Sequence, residues 1–346
     1  MLIRLMGATV LAALLTAGAL CAAEPAYRVT STVKLGGEGS WDYAAYDAGS
    51  DRLFVTRVGG VEAIAAATGA PAGSVPATAG TRVHGVALAP DLGLGLTGEG
   101  NDRNVSVFDL KTLAVKRKIA VDHAIDAVVY DPASKRGFAV AGDDNLVAVF
   151  APSSGKKLGE IALDGSPEAA ASDGKGRLFV NLSDKNEVAV IDTRHLKVVA
   201  RWPLGEGCED PTPLTVDPAR GRLFIGCRSG VAVVLDSDDG TRLAALPLGK
   251  GADAAVFDPG ADLAFIACYD GTITAIRAEE RGAAVAQTIK TEAGGRIVAL
   301  DPVGHRLFVP VADLGPLLPK TEDLPARPAI VPESFRILTI SQVPAQ

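Results

Sequence analysis

One short pattern recurs seven times along this 346-residue chain and leaves few folds open to it. An apolar strand runs into a turn, often written Asp-Pro, and a second strand typified by Arg-Leu-Phe-Val follows. The copies read YDAGSDRLFV from Tyr46, LAPDLGLGLT from Leu88, YDPASKRGFAV from Tyr130, SDGKGRLFV from Ser172, VDPARGRLFI from Val216, FDPGADLAFI from Phe257 and LDPVGHRLFV from Leu300. Equivalent positions are Phe54, Leu96, Phe138, Phe179, Phe224, Phe265 and Phe308, separated by 42, 42, 41, 45, 41 and 43 residues. A unit of this length that cannot bury its own apolar face must stack on copies of itself, and a period of about 42 residues matches the four-stranded blade of a β-propeller.

Each copy supplies the four strands. Asp-Pro starts a turn because the carboxylate accepts a local backbone N–H while Pro presets its own φ. A third strand with period-two alternation comes next, as in Val105-Ser-Val-Phe or Val188-Ala-Val-Ile, and a fourth follows a turn that often carries Gly, as in Ser153-Ser-Gly155. The chain ends complete the count. Tyr27-Arg-Val-Thr-Ser-Thr-Val resembles a fourth strand without its first three, and Phe335-Arg-Ile-Leu-Thr-Ile a third strand without its fourth. Pairing the two completes blade seven and removes the open sheet edge. The expected fold is therefore all-β, a single seven-bladed propeller over residues 24–346.

Blade seven departs from the pattern between its second and third strands. Residues 312–334 form an insertion carrying Pro316, Pro319, Pro325, Pro328 and Pro332. Five prolines predict a stiff segment unable to pair, either a lip over one rim or a loop packed on the outside.

At the N-terminus, Arg4 precedes an apolar run from Leu5 to Leu20 and the small residues Cys21-Ala22-Ala23. This is the pattern of a secretory signal peptide over residues 1–23, cleaved near Ala23, so the expected location is the periplasm or the exterior. Leu20 is a poor residue before a lipid-modified Cys21. No later stretch is long and apolar enough to span a bilayer. Without residues 1–23 the chain has 33 basic and 41 acidic residues, a net charge of −8, which disfavours nucleic acid as a partner. The densest basic stretch, Lys111 with Lys116-Arg117-Lys118, falls on an outer strand and reads as a solvated face.

Propellers gather ligands where the loops entering the innermost strands converge on the channel. Five residues before each turn Asp, or its equivalent, stand Asp42, His84, Asp126, Glu168, Thr212, Asp253 and Arg296. Six of the seven are ionisable. Asp42 and Asp126 flank His84, an arrangement that favours the imidazolium. Arg296 falls between Asp253 and Asp42 as a charge clamp. Asp126, Glu168 and Thr212 form a sector of acids with no fixed cation, suited to an amine, a polyol or a hard cation such as Ca²⁺ held by Asp126 and Glu168. Three roles are open to the ring: holding the blades together, binding a small ligand or cation, or catalysis. The four histidines, at 84, 123, 195 and 305, lack zinc-ligand spacing. His195 and His305 read as surface turn residues, and His123 either joins the ring from above or packs outside it. No nucleophile-elbow, phosphate-loop or dinucleotide motif is present, so no cofactor is expected.

Cys208 lies in the loop entering blade five, and Cys227 lies three residues past Phe224, at the same rim. In an oxidising compartment they are expected to form a disulfide. Cys268, equivalently placed in blade six, either competes for Cys227 or stays a buried thiol.

The repeat, the leader and the closure resemble the YVTN-repeat, YncE-like family of exported bacterial β-propellers. The resemblance rests on GSWDYAAYD from Gly39, VHGVALAP from Val83, DAVVYDPASKR from Asp126, GCEDPTPLTVDPARGRLFIGC from Gly207 and RPAIVPESF from Arg327. The namesake tetrapeptide is replaced by FVTR, FVNL or FIGC. The Trp-Asp signature of WD40 repeats and the regular Trp motifs of quinoprotein dehydrogenases are absent. The resulting expectation is a monomeric binding or scaffolding propeller for a small polar ligand or an envelope protein. The alternative is a cation-assisted, lactonase-like hydrolase at the same channel site.

Overall fold

The computed structural model describes residues 26–77, 81–320 and 326–344. The expected leader and Pro325 lie outside the described residues. Seven four-stranded antiparallel sheets form the ring, each ordered from the channel outward. Blade one is typical, with strands Trp41–Asp47, Arg52–Arg57, Gly60–Ala65 and Pro71–Pro76. The first strands of neighbouring blades pack side by side around the channel. In blade seven Ala299–Asp301 is innermost, then Arg306–Val311, Arg336–Val343 and, outermost, Ala26–Lys34. The N-terminal strand pairs with the last one from Ala26↔Val343 to Lys34↔Arg336, with one bulge between Val29 and Ser31. Closure thus joins the two ends of the described chain in one sheet.

The recurring aromatic position is the core of every blade. Phe54, Leu96, Phe138, Phe179, Phe224, Phe265 and Phe308 are all at most 1% exposed, and each buried ring contributes about 2–3 kcal/mol of apolar transfer free energy. The residue before it shows compensation across the strand pair. Where blades one, four, five and seven place Leu53, Leu178, Leu223 and Leu307 opposite Ile64, Ile191, Leu235 and Ile340, blades two and three place Gly95 and Gly137 opposite Phe108 and Phe150. A Cβ on either glycine would overlap the facing ring. The volume lost on one strand is regained on its neighbour, which keeps packing density constant.

The turn aspartates act as their chemistry predicts. Asp217 Oδ1 accepts from the N–H groups of Ala219 and Arg220, Asp258 Oδ1 from Gly260 and Ala261, and Asp301 Oδ1 from Val303 and Gly304. All three side chains are buried. The arginine of the Arg-Leu-Phe pattern has a role that periodicity does not suggest. Arg52 donates to the Leu110 carbonyl, Arg136 to that of Thr193, Arg177 to that of Ser237, and Arg306 to Asp51 at 3.1 Å. In these four blades the partner is on the next blade, so the arginine straps the two together through a charge-assisted hydrogen bond, whereas Arg222 of blade five bonds within its own blade.

Two expectations need correction. The blade-seven insertion does pair: Leu314–Leu318 and Arg327–Ile330 form a two-stranded hairpin with Leu317 opposite Pro328. An isolated hairpin has no inner ladder to interrupt, so prolines whose missing N–H faces outward are tolerated there. His305 is a turn residue, at φ 52°, but not a free surface one. Its Nδ1 lies 2.8 Å from Asp258 of blade six, making another link between blades. His195 is exposed and bonds Asp192 within its own turn. No helix among the described residues is long and apolar enough to cross a membrane. The basic stretch lies on and just before Val115–Ala120, the outermost strand of blade two.

Candidate functional site at the channel mouth

Five of the ring residues fall at the start of an innermost strand beside a backbone irregularity, while Asp126 and Arg296 lie in the loops just before theirs. Register shifts fall between Trp41 and Ala44, Val83 and Val86, Pro167 and Ala170, Pro211 and Leu214, and Ala252 and Ala254. A bulge at the start of a strand releases one residue from the ladder and re-aims its side chain. Asp42, His84, Asp126, Glu168, Thr212, Asp253 and Arg296 all line one cavity of about 1000 Å³. The seven residues inferred from the repeat therefore share one space, at the upper end of the usual size range for small-molecule sites.

Half of the ring is internally neutralised. His84 Nδ1 lies 2.7 Å from Asp42 Oδ2, and Arg296 Nη2 lies 3.4 Å from Asp42 Oδ1. Arg296 also holds Asp253 in a short ion pair, which realises the expected clamp. Burial would raise the Asp42 carboxyl, but the His84 hydrogen bond and the Arg296 charge hold it below the usual carboxylate range.

The other half is not neutralised in this way. Asp126 Oδ2 accepts from the Gly142 N–H at 2.9 Å, and neither Asp126 nor Glu168 makes an ion pair among the described residues. Burial pushes both carboxyls up. Asp42 adds to this for each of them, Asp143 for Asp126, and Asp126 and Asp210 for Glu168. The sector does have a cation nearby, contrary to the sequence expectation. Arg228, which follows the second strand of blade five, bonds Asp253 at 3.3 Å, pairs with Asp210 at 3.6 Å, and partly offsets the rise at Glu168. Thr212 is buried, and its hydroxyl donates to the Asp210 carbonyl at 3.4 Å.

Further lining comes from the exits of the second strands, Arg228 and Tyr269, and from Tyr43, whose phenol is pushed up by burial and by the carboxylates of Asp42, Glu168 and Asp126. Both exits fall four residues after the core aromatic of their blade, Phe224 and Phe265, a position the repeat marks. His123 does not join the ring. It sits outside the cavity, bonded to Asp144 at 2.8 Å and Glu160 at 3.0 Å. The insertion hairpin is a lip, since Leu314, Leu318, Arg327 and Ile330 line the same cavity. Glu333 Oε2 accepts from the Gly37 N–H at 3.1 Å, and Arg336 pairs with Asp313 at 2.8 Å, which anchors the hairpin base.

Below the same rim, Cys208 and Cys227 are joined in a disulfide, with Cα atoms 5.3 Å apart and a sequence separation of 19. Cys268 is the buried free thiol of the two alternatives, pushed up to about 12 by burial. No group of three or more His, Cys, Asp or Glu side chains among the described residues is gathered closely enough to hold a metal ion.

No family model matches the sequence, and no curated protein matches it. Among solved structures it is similar to a chain of a structure titled "Crystal Structure of Mitotic Checkpoint Complex", with a TM-score of 0.73, 13% identity, and coverage of 95% of this chain and 99% of that one. At that identity the likeness is one of architecture alone, in keeping with the seven-bladed β-propeller described above.

Proposed function

We propose that this propeller is an exported binding protein whose ligand is a small polar molecule bearing an ammonium group, held at the channel mouth by Asp126 and Glu168 and covered by the blade-seven hairpin. One observation carries the reading. The acidic ring residues Asp42 and Asp253 are ion-paired within the protein, whereas Asp126 and Glu168 face a cavity of about 1000 Å³ without such partners. Both carboxylates are partly desolvated and the charge of Asp126 adds to the cost of ionising Glu168, and a ligand ammonium offsets that cost while supplying hydrogen-bond donors to both. Arg296, fixed between Asp42 and Asp253, lines the far part of the same cavity and is available to polar ligand oxygens. Export is supported by the Cys208–Cys227 disulfide, which persists in oxidising compartments, and by the leader pattern over residues 1–23. The motifs shared with YVTN-repeat propellers point to the same setting.

The test is a thermal-shift and calorimetric screen of small amines, with putrescine and lysine as first probes, repeated on Asp126→Asn/Glu168→Gln. At least one amine is expected to raise the melting temperature of the unaltered protein and to lose that effect in the double variant. Equal shifts in both proteins, or no binding amine at all, would remove the acidic sector from the account.

A further inference from the structure

The charges that line the main cavity are unevenly distributed around the ring. Blades three and four contribute Asp126, Asp143 and Glu168 and no base. Blades seven, one and two have the opposite excess, with Arg82, Arg296 and Arg327 set against a single acid, Asp42. Arg296 is occupied by Asp42 and Asp253. The guanidinium groups of Arg82 and Arg327, in contrast, make no hydrogen bond or ion pair among the described residues, and the three acids of blades three and four make no ion pair there. Opposite charges thus line one space without meeting.

The blade order keeps them apart. First strands pack in sequence from blade one to blade seven and back to blade one, so the point of the ring opposite blade seven lies between blades three and four. Arg327 belongs to the blade-seven lip, where it opens the strand Arg327–Ile330 opposite Leu318. It is half-buried, and it is the one charged residue that the described part of the hairpin places on the cavity. Its companions there, Leu314, Leu318, Pro328 and Ile330, are apolar. A guanidinium that has lost part of its water, with its planar fork of donors unclaimed, suits a carboxylate, which accepts two parallel hydrogen bonds from it. Arg82 is exposed and stays hydrated, so it adds positive charge to that side rather than a fixed contact.

We infer that the ligand is an ω-amino carboxylate, with its ammonium on Asp126 and Glu168, its aliphatic chain against Leu318 and Ile330, and its carboxylate on Arg327. This ligand class rests on the amine reading at Asp126 and Glu168 and adds the ligand's second end. A plain amine answers the acids but leaves the donors of Arg327 unclaimed under an apolar lip. A ligand charged at both ends answers each pole, so Arg327 becomes the residue that selects acids over amines.

The probes are ε-aminocaproate and ε-aminocaproamide, which share the ammonium and the chain and differ in the charge of the other end. By calorimetry at neutral pH, the unaltered protein is expected to bind the acid about tenfold more tightly than the amide, the worth of one charge-assisted contact. Arg327→Gln should remove that preference by weakening the acid. Arg327→Lys should restore part of it, because the charge returns without the bidentate fork. An amide that binds the unaltered protein as tightly as the acid, or a preference that survives Arg327→Gln, would overturn the carboxylate end and leave the amine reading standing. If acid, amide and putrescine all fail to bind, the amine reading falls and the ligand class falls with it.

Discussion

Arg296 Nη2 lies 3.4 Å from Asp42 Oδ1 across the seam of the ring, joining blade seven to blade one over 254 residues of sequence. The same guanidinium holds Asp253 of blade six, so a single side chain spans three blades. Arg296→Met should leave Asp42 with only His84 and Asp253 with only Arg228 as partners, and cost about 2 kcal/mol in urea denaturation at neutral pH. Asp42 sets the direction of the pH dependence. Its folded pKa is lowered, so its contribution is present above the ordinary carboxylate pKa and is lost as the pH falls through the lowered value. An unfolding midpoint for Asp42→Asn that matches the unaltered protein at neutral pH would contradict this.

Asp126 and Glu168 act in the opposite sense. Their folded pKa values are raised, so the native state binds more protons than the unfolded chain between the ordinary and raised values, and stability falls as the pH rises through that window. Without ligand, Asp126→Asn/Glu168→Gln should therefore melt higher than the unaltered protein at neutral pH, by on the order of a degree or two. The difference should close below the ordinary carboxylate range. Melting curves collected across that window check the sign.

The packing exchange between Leu-Ile and Gly-Phe pairs can be tested by a cycle. Gly137→Leu alone forces a side chain into Phe150, and Phe150→Ile alone leaves a cavity, so each should cost about 1–3 kcal/mol. The double variant reproduces the pair found in blade four and should recover most of the combined loss. Strict additivity of the two single effects would show that the facing residues do not compensate.

The Cys208–Cys227 bridge closes a loop of about twenty residues, for which the chain-entropy estimate is about 3 kcal/mol. Cys208→Ser/Cys227→Ser should lose an amount of that order. A chain beginning at residue 24, denatured without reductant, should titrate with one thiol, that of Cys268. Three thiols would rule out the bridge.

Much of this molecule was legible because a strand period and a turn are local properties. The Asp-Pro turns, the aromatic every 42 residues or so, and the half-blades at Tyr27 and Phe335 report blade number and closure without any long-range information. Once the blades are in register, Asp42, His84, Asp126, Glu168, Thr212, Asp253 and Arg296 must converge, since equivalent positions in a closed ring share one level. Cys208 and Cys227 follow from the same register. The hairpin within 312–334 was hidden because proline content predicts the loss of a donor but not which side of a ladder the missing donor faces.

What only the tertiary structure decided is how charges are apportioned around that level. Periodicity places Asp126 and Asp253 in equivalent positions, yet Arg296 and Arg228 neutralise Asp253 while Asp126 is left facing the cavity. Arg57, five residues from Glu62 in sequence, ends up buried beyond hydrogen-bond range of it. A repeat sets where a backbone position lies, and therefore which residues can meet. Whether they do depends on side-chain reach between blades and on the water each group has lost, and those are properties of the closed ring.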